Sequence, residues 1–151
     1  MAEIKNKIAY ALFFFFVIAF LSVTARGLFA VQPADENVYY YMGKLISEGK
    51  LPYRDFFFAH PPLHIYTISF FYKIFGFNIA ALKLIPLIST LVSAFFVFKT
   101  AKNKFGNAAA LLSSLLFLFS YSIMFNSIFS FGIEVATMLF VIGVYLLWCK
   151  S

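Results

Sequence analysis

Residues 8–30 read IAYALFFFFVIAFLSVTARGLFA, an unbroken apolar stretch with a single charged residue, Arg26, near its end. Built as a helix rising about 1.5 Å per residue, such a stretch covers the roughly 30 Å of a bilayer's hydrocarbon core. Three further runs of the same kind follow at 79–98, 108–125 and 128–148. The composition agrees: 63% of the 151 residues are hydrophobic and 12% charged, against about a quarter charged in an ordinary soluble domain. A core this small cannot hide so much apolar surface, so lipid must cover the rest. The fold class expected is therefore all-α, a polytopic membrane helical bundle forming one transmembrane domain over residues 1–151.

The charge pattern sets the orientation and excludes one class of partner. A formal net charge of +6 would suit nucleic acid, but the bases sit beside the apolar runs. Lys5 and Lys7 precede the first, Lys99, Lys102 and Lys104 separate two others, and Lys150 follows the last. Such placement signals orientation and contact with lipid headgroups, so membrane lipid is expected and nucleic acid is not. Lys5, Lys7 and the small residues Val23-Thr24-Ala25 also resemble a secretory signal. The run is longer than the 7–15 residues such signals use, so it is read as an anchor. Cys149 is the only cysteine, which removes intramolecular disulfides and thiolate metal cages.

The external loop, 31–78, is the least membrane-like part of the chain. Pro33-Ala34-Asp35-Glu36 opens it, with Asp35 suited to capping a helix and Glu36 to its first turn. Val38, Tyr41, Met42, Leu45 and Ile46 then recur at helical spacing, and Gly49 is a natural stop. These features predict an amphipathic interfacial helix over 35–48. A second short apolar run follows Pro61-Pro62 and ends at Gly76, which predicts another juxtamembrane helix over 62–75, too short to cross. If it does not cross, the lysine clusters before the first run, between 98 and 108, and after 148 share one side, as the positive-inside rule requires. Four crossings with both termini cytoplasmic are expected, in a prokaryotic plasma membrane in preference to the endoplasmic reticulum.

That topology gathers Asp35, Glu36, His60, His64 and Glu134 at the non-cytoplasmic face. Glu134 is the most informative, because an ionisable group inside an apolar span is costly and marks a functional site by default. The plainer reading has it reaching the interface or pairing with a lysine. Asp35 and Glu36 divide between capping and general-base chemistry. His60, extended by the proline after it, could meet a phosphate or a metal through its imidazole. His64 and Arg54 carry weaker signals, and Tyr39, Tyr40 and Tyr41 suit an aromatic interface belt. No HExxH, GxSxG, phosphate-loop, dinucleotide or zinc-ligand spacing is present.

Taken in order, Ala34-Asp35-Glu36, Tyr41, Gly49, Pro52-Tyr53-Arg54-Asp55-Phe56, His60-Pro61-Pro62-Leu63 and Phe75-Gly76 form a recognisable set. It resembles the first external loop of polyprenyl-phosphate-dependent glycosyltransferases of the GT-C superfamily, the dolichyl-phosphate-mannose protein mannosyltransferase and aminoarabinose transferase group. The resemblance implies a sugar donor on a polyprenyl phosphate and a protein, lipid or glycan acceptor. It also implies transfer with inversion at the non-cytoplasmic face. It places the catalytic base on Asp35 with Glu36 beside it, and sets His60 near the donor phosphate, where relatives often have lysine. Glu134 falls where relatives carry a second acid, often aspartate. Arg54, or a Mg²⁺ or Mn²⁺ ion held by Asp35 and Glu134, is a further candidate for countering the phosphate charge. Relatives are several hundred residues long, so the chain is expected to be the N-terminal portion of such an enzyme. The alternative is a non-enzymatic membrane protein, either a transporter fragment or an assembly subunit.

Overall fold

The computed structural model describes residues 2–30 and 35–149. Pro33-Ala34 and Lys150, which entered the sequence argument, lie outside the described residues. Seven α-helices follow one another: α1 (Ala2–Thr24), α2 (Asp35–Ser47), α3 (Leu63–Phe75), α4 (Ile79–Phe105), α5 (Asn107–Leu118), α6 (Tyr121–Asn126) and α7 (Ile133–Cys149). A 3-10 turn, Ala25–Phe29, prolongs α1. Among the described residues the extended conformation is limited to one isolated bridge between Pro52 and Phe56. The chain is an all-α membrane helical bundle.

Two of these helices, α1 with its 3-10 extension and α4, are long and apolar enough to cross a membrane unaided. On α1 the residues Ala9, Phe13 and Phe20 point inward, while Ile4, Ile8, Phe14, Phe15 and Ile18 remain exposed. An exposed face of that kind is stable only against lipid. The inward residues join Leu87, Ala94 and Phe98 of α4 and Ala110 and Leu118 of α5 in the main core. Helix α4 is the central element, packing on α7 along one side and on α5 along another. Asn78 starts it by accepting the Ala81 N–H at 3.2 Å. It continues past residue 98 to Phe105 and stops at Gly106, whose φ of 87° only glycine adopts easily.

The run at 108–125 differs from the single helix expected. It breaks at Phe119-Ser120, where the Ser120 side chain accepts from Ile123 N–H at 3.4 Å and starts α6. An average over hydropathy cannot see such a cap. The last run also begins later than its hydrophobicity suggests, because 127–132 is not continuous helix and α7 starts only at Ile133.

Helices α2 and α3 pack on each other over this bundle. Asp35 lies within the first turn of α2 alongside Glu36. Gly49 ends the helix at φ 92°, with the Lys50 N–H returning to Leu45 O at 3.0 Å. The expected apolar stripe is buried only in part, with Ile46 buried and Met42 and Leu45 half-buried. Val38 and Tyr41 are exposed, whereas Glu36, Tyr40, Gly43 and Ile46 are buried. The helix is turned so that a polar contact, described below, lies inside. Gly43 allows the close approach, since a Cβ there would stand 2.4 Å from Ile68 Cγ2 and 3.3 Å from the Ser69 nitrogen. Replacing Gly43 with valine is expected to destabilise the α2–α3 contact by about 1–3 kcal/mol. A lowered thermal midpoint in detergent, together with faster proteolysis between residues 48 and 62, would report it.

Candidate functional site

The first turn of α2 places Glu36 wholly inside the protein. Its Oε1 accepts the Tyr40 hydroxyl at 2.8 Å, one helical turn on, and the Ser130 backbone N–H at 2.9 Å. Its Oε2 stands 3.6 Å from the Lys83 ammonium, and both side chains are fully buried. Lys83 Nζ also donates to Ile128 O at 2.8 Å and Gly27 O at 3.3 Å, and sits 4.6 Å above the Phe129 ring. A charge pair out of water is tolerable only with this many partners. Burial and the Glu36 hydrogen bond together push the Tyr40 hydroxyl well above the usual phenol range, so it stays protonated and donates to Glu36.

The non-helical segment before α7 serves a third side chain. His64 Nε2 lies 2.9 Å from Ser130 O. A carbonyl can only accept, so Nε2 carries the proton and Nδ1 presents a lone pair. That Nδ1 has no hydrogen-bond partner among the described residues. Gly132, at φ 87°, lets the chain pass so close that a Cβ would be 2.8 Å from His64 Cγ.

A mostly apolar cleft of 410 Å³ opens between α3 and the start of α7, lined by Tyr39, His60, His64, Gly132, Ala136 and Leu139 among others. His60 is exposed at its mouth, with its ring 6.4 Å from that of Tyr39, while the His64 ring is 5.5 Å from Tyr39. Asp35 is exposed at the start of α2, and its charge, after burial, is the second cause raising the Tyr39 hydroxyl. Glu134 is buried in the first turn of α7, and neither carboxylate oxygen has a hydrogen-bond partner among the described residues.

Of the side chains singled out from sequence, Asp35, Glu36, His60, His64 and Glu134 thus lie on elements that meet at one end of the bundle. Arg54 stands apart on an exposed turn, donating to Asp55 at 2.8 and 3.0 Å. That guanidinium, with the Leu51 N–H, holds the Asp55 carboxyl at about 2. Among the described residues no three His, Cys, Asp or Glu side chains come close enough to hold a metal ion. Sequence reasoning missed Lys83, Tyr40 and Ser130. The first was detectable, because a lysine inside the apolar run 79–98 is as costly as Glu134 in its own run.

A match to the family described as Dolichyl-phosphate-mannose-protein mannosyltransferase covers residues 59–151, more than half of the chain. The chain belongs to that family. No curated protein and no solved structure gives a match. The matched part of this mannosyltransferase-family chain contains the cleft wall from α3, Lys83, the 127–132 segment and Glu134. Asp35, Glu36 and Arg54 precede it. Membership makes the protein a membrane glycosyltransferase of the mannosyltransferase type in general terms.

The buried His64 supplies a pH test. Desolvation lowers its pKa below the ordinary 6.5 and outweighs the opposing bond to Ser130. The unfolded chain therefore binds the proton more readily, and stability contributed by neutral His64 is lost as pH falls below about 6.5. The thermal midpoint in detergent should drop between about pH 7.5 and pH 5.5, and by less in His64→Gln, which cannot take up that proton.

Proposed function

We propose that this protein transfers a sugar from a polyprenyl phosphate to an acceptor hydroxyl with inversion, at the non-cytoplasmic membrane face, using Asp35 as general base. The observation carrying this reading is the 2.9 Å bond from the Ser130 N–H to Glu36. It ties the acidic start of α2 to the segment that opens α7, which supports reading Asp35 and Glu134 as flanking the α3–α7 cleft, whose lining includes neither of them.

In this reading the cleft receives the lipid end of the donor. Leu63, Ala136 and Leu139 line it and offer apolar contact to the prenyl chain, and His60 stands at its mouth near the phosphate. Asp35, exposed to the external compartment, takes the proton from the acceptor hydroxyl as its oxygen bonds to the anomeric carbon. The bond from that carbon to the phosphate oxygen breaks, and the electron pair leaves with polyprenyl phosphate. One displacement inverts the configuration. A phosphate leaving group needs no proton, unlike the leaving oxygen in a glycosidase, so a single base suffices. The donor set for a divalent cation is not assembled among the described residues, and no step is routed through one. The family description favours mannose on a protein hydroxyl.

The proposed topology has four crossings: α1 outward, α4 inward, α5 with α6 outward and α7 inward, leaving both termini cytoplasmic in a prokaryotic plasma membrane. With Cys149→Ser as background, a membrane-impermeant maleimide applied to intact cells should label Phe57→Cys and spare Asn103→Cys; the opposite pattern would reverse the orientation. Membranes containing the protein as its host makes it, supplied with polyprenyl-phosphate mannose and acceptor, should release polyprenyl phosphate. Asp35→Asn should slow that release by about 100-fold or more while inserting normally. Turnover near the native rate in this variant would remove Asp35 as the base.

A further inference from the structure

Lys83 has no part in the chemistry just described, yet its ammonium meets two carbonyls, a carboxylate and an aromatic ring. It lies in the second turn of α4, fully buried, where a lysine is tolerated only if its charge is used. None of its acceptors comes from its own helix. They are Gly27 O after α1, Ile128 O before α7, and Glu36 Oε2 on α2, at 3.3, 2.8 and 3.6 Å. If space-filling were the whole requirement, an apolar side chain of similar volume would serve as well or better. The ammonium is instead the point at which four separate stretches of chain are held together, and one of them bears Asp35 next to the residue it grips.

We propose that Lys83 is a positioning residue for the transfer reaction: by holding Glu36 it sets the angle and depth of the first turn of α2, and so the reach of Asp35 over the cleft. This rests on the reading of Asp35 as the base. The cleft lining includes neither Lys83 nor Glu36, so loss of Lys83 should reduce turnover more than donor affinity.

The experiment uses native-host membranes, with polyprenyl-phosphate mannose as the probe. Lys83→Met is expected to lower kcat by about 100-fold, the scale of a small misplacement of a reacting group, with the donor KM changed by less than about threefold. Lys83→Arg should recover most of the rate, since a guanidinium keeps the charge and can donate to the same carbonyls. The double variant Glu36→Gln/Lys83→Met removes both charges of the buried pair and should regain stability without regaining kcat. A kcat for Lys83→Met within about threefold of native would overturn the proposal. So would a double variant that recovers rate and stability together, which also decides the matter if Lys83→Met alone fails to fold. A nitroxide on Asp35→Cys, in the Cys149→Ser background, separates positioning from base chemistry. Its spectrum should show greater mobility once Lys83→Met is added, and an unchanged spectrum counts against positioning. Greater mobility combined with an active Asp35→Asn variant would discard only the base assignment.

Discussion

A carboxylate and an ammonium, both shut away from water, face each other across 3.6 Å between α2 and α4. Removing either from water is expensive, and their mutual attraction compensates only when the remaining donors and acceptors are also met. Meeting them here requires Tyr40, the Ser130 N–H, and the carbonyls of Gly27 and Ile128. Helix α2, the turn after α1 and the segment before α7 therefore share the partners that make this pair tolerable. The orientation of α2, with Glu36 inward and Val38 outward, satisfies this pair while keeping Tyr40 and Ile46 in the apolar clusters.

The same pair explains why the candidate site is held against the end of the bundle and is not a loop adrift in solvent. Apolar packing of Ile46, Phe58 and Ile65 in one cluster, and of Tyr40, Ile68, Leu82, Ile85 and Val135 in another, presses α2 and α3 against α4 and α7. One cleft wall is thus the short helix α3 and the other the first turns of the apolar helix α7.

Much of this was legible in the primary structure. The long helices at the runs 8–30 and 79–98, the two short helices between them, and the stops at Gly49 and Gly76 follow from local chemistry. Glu134 stood out because a lone acid in a greasy run is conspicuous. Lys83 was equally unusual, but it sits only a few residues into its run and could be counted with the bases of the preceding loop. The rotation of α2 was hidden for a different reason: periodicity weighs Val38 and Tyr41 as core, whereas one buried carboxylate with enough partners outweighs both. The break at Ser120 depends on a side-chain cap within a stretch that averages as continuous, and Ser130 contributes through its main chain, which no side-chain pattern records.

That last point bears on how the protein can vary. Between α6 and α7, Ile128 offers its carbonyl to Lys83, while Ser130 offers its amide to Glu36 and its carbonyl to His64. Main-chain atoms are common to nearly every amino acid, so those contacts are indifferent to which side chains sit at 128 and 130, packing aside. They depend strictly on how many peptide units lie between the two helices. Drift in identity at these positions is tolerable, but insertion or deletion of one residue would misalign all three partners at once. At 128 and 130 length matters more than lettering, whereas Gly132 keeps its identity for its φ of 87° and its approach to His64.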